Sequence, residues 1–147
     1  MSKTVHIYGG GLAGCEAAWQ AALRGVDVVL YEMKPEKYTP AHHSAALSEL
    51  VCSNSLRSDS VTNAVGLLKC EMRRMESLIM EAAEATKVPA GSALAVDRER
   101  FSAYVTEKIN AHPRIRRVTQ EMDHVPDGQL TVIATGPLTD GAMAQYL

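Results

Sequence analysis

The chain has 147 residues, of which 46% are hydrophobic and 22% charged, and a formal net charge of −2. This is enough chain for one domain with a core, and it is too apolar for a disordered segment. No apolar run approaches the roughly 20 residues that span a bilayer, and the near-neutral charge does not advertise a nucleic-acid face.

Met1-Ser2-Lys3-Thr4 leads directly into a β-prone run with none of the features of a signal peptide. A cytoplasmic protein without membrane attachment is therefore expected. Cys15, Cys52 and Cys70 show no CxxC spacing. That argues against a disulfide framework or zinc knuckle and leaves free thiols.

Val5-His6-Ile7-Tyr8 predicts a strand that stops at Gly9. Residues Leu12 to Arg24 are mostly good helix formers, and Gly25 follows as a C-terminal cap. Asp27-Val28-Val29-Leu30-Tyr31 is apolar without alternation, as in a buried parallel strand. Together these make a βαβ unit.

From Met33 to about Ser60 the pattern dissolves into an irregular segment with Pro35, Pro40, His42 and His43. Loops of that length are usually functional. Asn63 to about Ala85 reads as one long helix, with Val65, Leu68, Met72, Met75, Ile79 and Ala82 along one stripe facing the core. Asp97 can cap a helix running from Arg98 to about Ile109. Ile115 to Thr119 and Leu130 to Ala134 read as strands, separated by a Pro126-Asp127-Gly128 turn and followed by one short helix.

Gly9-Gly10-Gly11-Leu12-Ala13-Gly14 fits GxGxxG between a strand and a helix. The first glycine permits the tight turn, the second lets a pyrophosphate approach the backbone, and Gly14 lets the helix pack closely. The helix start offers unpaired N–H groups and a positive dipole end. Glu32, 18 positions after Gly14 (32 minus 14) at the tip of the next strand, is near the expected spacing of about 20 for a ribose-binding acid. A carboxylate there disfavours NADP.

FAD is favoured over NAD. The unit opens the chain, and a strand ending Ala134-Thr135-Gly136 comes much later, an order that resembles flavoproteins of the two-dinucleotide-binding-domain type. The expected fold is accordingly α/β: a Rossmann-like FAD-binding βαβ unit with a parallel sheet, a long helix and an irregular cofactor-side loop at 33–60.

The stretch around Cys52-Ser53-Asn54-Ser55 is dense in small polar groups, which can serve an anionic or heteroaromatic ligand. Arg57 nearby could lower the Cys52 thiol pKa, although free cysteines are more often buried and inert. His42 and His43 are adjacent without further ligands, so no metal site is expected. Arg73, Arg74, Arg114, Arg116 and Arg117 are candidate phosphate contacts or simply solvated.

Several stretches are more specific. They are Tyr31-Glu32-Met33-Lys34-Pro35, Thr39-Pro40-Ala41-His42-His43, Leu50-Val51-Cys52-Ser53-Asn54-Ser55-Leu56-Arg57-Ser58, Val88-Pro89-Ala90-Gly91 and Ile133-Ala134-Thr135-Gly136-Pro137-Leu138. With the glycine turn, they resemble the folate- and FAD-dependent tRNA (uracil-5-)-methyltransferase family from Val5 to at least Leu138.

The resemblance implies methylation of carbon 5 of a uridine in the tRNA T-loop. Methylenetetrahydrofolate would be the one-carbon donor, with FAD as cofactor and NAD(P)H as the source of electrons. It maps Cys52 onto a reaction cysteine, and it implies cofactor-binding roles for Gly9, Gly10, Gly11, Leu12, Ala13, Gly14, Glu32, Asn54, Ser55, Thr135 and Gly136.

The family extends beyond the equivalent of Leu147, through an insertion domain and the return of the FAD-binding fold. The chain is thus expected to be the N-terminal part of an incomplete two-dinucleotide-binding-domain fold, inactive by itself or dependent on a partner chain carrying the remainder. The alternatives are another FAD-dependent tRNA-modifying enzyme or oxidoreductase fragment, and a non-catalytic nucleotide-binding module.

Overall fold

The computed structural model describes residues 4–147. The first three residues, expected to lead into the opening strand, lie outside the described residues. Strand β1 (Thr4–Tyr8) turns through the glycines into helix α1 (Leu12–Leu23), and β2 (Asp27–Glu32) follows. Gly25, at φ +80°, lies just past the Arg24 cap of α1.

After an irregular stretch come β3 (Ser55–Ser58), α2 (Ala64–Arg74), α3 (Leu78–Thr86), β4 (Lys87–Val88) and β5 (Ala93–Val96). Helix α4 (Arg98–Ala111), β6 (Ile115–Thr119), β7 (Leu130–Ile133) and α5 (Gly141–Tyr146) complete the order.

Four strands form a parallel sheet in the order β6-β2-β1-β7. Counted along the chain, these are the third, second, first and fourth strands of that sheet. The chain therefore builds outward on one side of β1 and then crosses back to its other side. Such a reversal opens a crevice beyond the carboxyl ends of β1 and β7, where open α/β sheets take their ligands. The fold is Rossmann-like α/β.

The core lies between this sheet and helices α1, α3 and α4. Ile7, Val28, Leu30 and Ile115 from the strands meet Cys15, Ala18 and Ala22 of α1, Leu78, Ala82 and Ala83 of α3, and Phe101, Val105 and Ile109 of α4. Asp97 caps α4 as its position predicts, accepting from the Arg100 amide at 3.0 Å.

Two expectations are corrected. The long helix expected over 63–85 is two helices, α2 and α3, broken at Met75-Glu76-Ser77, with Glu76 left-handed at φ +58°. Helix α1 holds the break together. Trp19 Nε1 donates to the Glu76 carbonyl at 3.1 Å and Gln20 Nε2 to the Met75 carbonyl at 3.1 Å. Glu16 Oε2 accepts from both the Ser77 hydroxyl and the Ile79 amide. Three of the backbone groups that the break orphans, the Met75 and Glu76 carbonyls and the Ile79 amide, are thus satisfied. The expected stripe fails with the helix: Ile79 and Ala82 are buried, whereas Leu68 and Met75 are more than half exposed.

The second correction concerns segment 33–60 and the chain beyond α3. Strand β3, expected to be irregular, pairs antiparallel with β5, and β4 pairs with the other edge of β5. These strands have two to four residues each, too short to show a readable alternation.

Candidate nucleotide-binding crevice

The glycine turn is built by close approach. Gly9 sits at φ +104°, and a Cβ there would lie 2.4 Å from the Ala134 carbonyl oxygen. A Cβ on Gly14 would lie 1.8 Å from the Gly9 carbonyl oxygen. The first turn of α1 therefore rests directly on the strand end, and no larger residue fits. A Cβ at Gly11 would meet nothing within 4 Å. The one glycine of the three with open space is the one that the motif reserves for the phosphates.

Glu32 ends β2 and is 7% exposed. Its Oε2 accepts from the Gly10 amide at 2.8 Å and its Oε1 from the Lys34 amide at 3.0 Å. An ionised carboxylate has about four acceptor positions, so two such bonds leave capacity for a ligand hydroxyl. Below the turn, Cys15 is fully buried and its Sγ donates to the Gly10 carbonyl at 3.3 Å. Burial pushes that thiol up to about 12, so it stays protonated and inert.

These groups line a crevice of about 360 Å³ with Tyr8, Tyr31, Thr39, His42, Glu49, Met122 and the 134–140 segment. The Thr139 hydroxyl donates to the Gly136 carbonyl at 2.7 Å and is hydrogen-bonded to the Thr135 hydroxyl, bracing the loop after β7. Gly9, Gly10, Gly11, Leu12, Ala13, Glu32, Thr135 and Gly136 all line the crevice. Gly14 lies behind it.

Three other residues singled out in the sequence do not line it. Cys52 is exposed and next to the crevice residue Val51, and its carbonyl accepts from Arg98 Nη2 at 3.2 Å. Asn54 Nδ2 donates to the Val96 carbonyl at 3.0 Å, tying its loop to β5. Ser55 begins β3, where its Oγ accepts from the Arg57 amide.

His42 faces the crevice with its Nδ1 2.6 Å from the Thr39 hydroxyl. Among the described residues, no group of three or more His, Cys, Asp or Glu could hold a metal ion. No helix among them is long and apolar enough to cross a membrane. Of the candidate phosphate-binding arginines, Arg73 is paired with Asp59 and Glu84, and Arg114 with Asp27. Arg117 donates to the Lys34 and Ala45 carbonyls.

Sequence reasoning missed Lys34 and Glu49 as parts of this site. Lys34 is 4% exposed, and its Nζ lies 3.4 Å from Glu49 Oε2. The signal for Lys34 was its place two positions after Glu32, inside a stretch that reads only as loop.

Comparison with known proteins agrees with this geometry. Over its full length the chain is 63% identical to a methylenetetrahydrofolate–tRNA-(uracil-5-)-methyltransferase of Geobacter sp. strain M21, and it covers 34% of that protein. It is 66% identical to the protein of the same name from Pelobacter propionicus, covering 32% of it. The chain spans about a third of the length of these curated relatives.

Among solved structures, GidA of Aquifex aeolicus superposes with a TM-score of 0.67 at 16% identity, over 85% of this chain and 21% of that one. The p-nitrophenol 4-monooxygenase PnpA of Pseudomonas putida superposes with a TM-score of 0.50 at 13% identity, over 79% of this chain and 32% of that one. Both likenesses concern the fold alone. The model of the family described as glucose inhibited division protein A matches residues 4–145, and the chain belongs to that family.

Proposed function

We propose that the chain binds FAD in the β1/β7 crevice, as the FAD-binding part of a tRNA methyltransferase that forms 5-methyluridine with methylenetetrahydrofolate as one-carbon donor. The observation that carries the FAD reading is the open backbone at Gly11, beside a carboxylate clamped onto the Gly10 amide. The name shared by the 63–66% identical relatives supports the reaction.

The residues present fit a dinucleotide. Gly11, Leu12 and Ala13 at the start of α1 line the crevice, and the first-turn amides of a helix, which have no helical partners, can receive a diphosphate. Glu32 can hold ribose hydroxyls. Thr135 and Gly136, across the switch point, supply a second backbone wall. When bound, FAD would supply the redox chemistry that reduces a transferred one-carbon unit, with NAD(P)H as electron source.

Cys52 is proposed as a reaction cysteine on the rim, beside Val51. Its exposure leaves it open to a substrate arriving from outside the crevice. Asn54 and Ser55 are proposed to shape that rim, with Asn54 fixing it to β5. The whole reaction, the tRNA and folate partners, and any partner chain belong to a protein of the relatives' full length. A cytoplasmic location suits such a substrate.

The test is to purify the chain and titrate it with FAD while recording the visible spectrum. A flavin band that stays with the protein at near-stoichiometric occupancy is expected. Absence of uptake at saturating FAD would overturn the cofactor reading for this chain.

A further inference from the structure

The crevice wall opposite the glycine turn is irregular chain, so something other than backbone ladders must hold its shape. Lys34 Nζ donates to the Ala46 carbonyl at 2.7 Å and to Glu49 Oε2 at 3.4 Å. Glu49 Oε1 accepts from the His43 amide at 2.9 Å and the Ser44 amide at 3.1 Å. One partly buried ion pair therefore gathers three points of the 43–49 stretch. The Lys34 amide is itself bonded to Glu32, the carboxylate that clamps Gly10. The Ser48 amide closes the ring on the Gly10 carbonyl at 2.8 Å. Thr39, His42 and Glu49 all face the crevice from this wall.

We propose that Lys34 and Glu49 are positioning residues whose partly buried pair fixes residues 39–49 as a preformed wall of the crevice, so that ligand affinity depends on it. Without the Glu49 carboxylate, the His43 and Ser44 amides lose their acceptor, and the Lys34 ammonium is left with only the Ala46 carbonyl. Such a loss is costly enough to open a loop. A wall closed only a tenth of the time lowers apparent affinity about tenfold, with no change in the contacts of the closed state.

The ligand half of this inference rests on the FAD reading, and the loop half does not. The experiment uses the full 147-residue chain as wild type, Glu49→Met, Lys34→Met and the double variant. Amide exchange read by mass spectrometry is compared for residues 39–50 and for α1 and α4, alongside FAD affinity from quenching of flavin fluorescence.

The expected result for Glu49→Met is exchange about tenfold faster in 39–50 only, with FAD bound about tenfold more weakly. The double variant should lose no more than the worse single one, because the two residues act as a unit. Unchanged exchange in 39–50, equal acceleration throughout α1 and α4, or multiplying losses in the double variant would overturn the proposal. Faster exchange with unaltered FAD affinity would overturn the claim that the wall governs binding. Failure of the wild-type chain to take up FAD would sink the cofactor reading instead, and the exchange data would still decide whether the pair holds the wall.

Discussion

At the scale of single residues, the glycine turn separates two demands that one motif conceals. Gly14 serves the fold, because any side chain would meet the Gly9 carbonyl inside contact distance. Gly11 is left free for the proposed ligand, because a Cβ there would meet nothing within 4 Å. Gly14→Ala is thus expected to destabilise the chain by about 1–3 kcal/mol or more through overpacking. Gly11→Ala, at the N-cap of α1, should cost no more than about 1 kcal/mol, since Ala caps less well than Gly, yet weaken FAD binding at least tenfold, roughly the loss of one good backbone contact to a phosphate. Urea denaturation and FAD titration of both variants check this. If Gly11→Ala loses stability as Gly14→Ala does, or keeps full affinity, the division of labour is wrong. The same residues explain why this part of the site was legible in sequence. Close approach admits only glycine and the ribose position calls for an acid, so Gly9, Gly14 and Glu32 leave a mark in residue type. Lys34 and Glu49 leave none, because their partners are backbone atoms of a loop with no period.

At the scale of elements, the α2–α3 break shows where periodicity misleads. Leu68 and Met75 fit a helical stripe but are more than half exposed, while Ser77 starts a new helix. The Ser77 hydroxyl accepts from the Met80 amide at 3.2 Å and donates to Glu16 at 2.9 Å. Ser77→Ala should therefore cost about 1–2 kcal/mol, a lost cap, read as a lower urea midpoint with an unchanged slope. A loss within about 0.5 kcal/mol would mean that α1 alone defines the break. The cap before Leu78-Ile79-Met80 was readable; what hid it was a run of good helix formers on both sides. The βαβ unit was legible from a run of helix formers set between glycines and apolar strands, and α4 from its Asp97 cap, whereas β3, β4 and β5 depend on pairing partners elsewhere in the chain. Helix α3 is also tied outward by charge. The bonds from Lys108 and Tyr104 hold Glu81 below the ordinary glutamate value of about 4.5, and those from Lys87 and Arg73 do the same for Glu84. Burial pushes Glu49 up, but the amides of His43 and Ser44 and the Lys34 ammonium outweigh it, and the net direction is down. A carboxylate depressed in the folded state stabilises above its unfolded pKa, and that contribution is lost as pH falls through the folded value. The urea midpoint should therefore hold at neutral pH and decline below about pH 4.5. Glu81→Gln should flatten the acid limb, and a limb of unchanged slope would remove Glu81 from the account.

At the scale of the whole molecule, the described sheet has one weakly covered side. Strand β7 is an edge in the order β6-β2-β1-β7, and Leu130, Val132 and Ile133 are 57%, 39% and 39% exposed. An apolar edge strand with unpaired N–H and C=O groups is a template for another strand. The second apolar exposure is on the α2 side, where Val61, Leu67 and Leu68 are each at least half exposed, but a helix offers no free ladder. Backbone pairing adds hydrogen bonds to apolar burial, so association of this chain in solution should run through β7. Leu130 lies at the start of the strand, away from the carboxyl end that meets the crevice at Ala134. A charge there can block pairing and leave nucleotide binding intact. Sedimentation velocity over a concentration series should show reversible self-association of the wild-type chain, weakened about tenfold or more by Leu130→Lys at unchanged FAD affinity. Association lost on Leu68→Glu but retained on Leu130→Lys would assign the contact to α2, and a wild-type chain that stays monomeric throughout would show that four edge residues are too short a template.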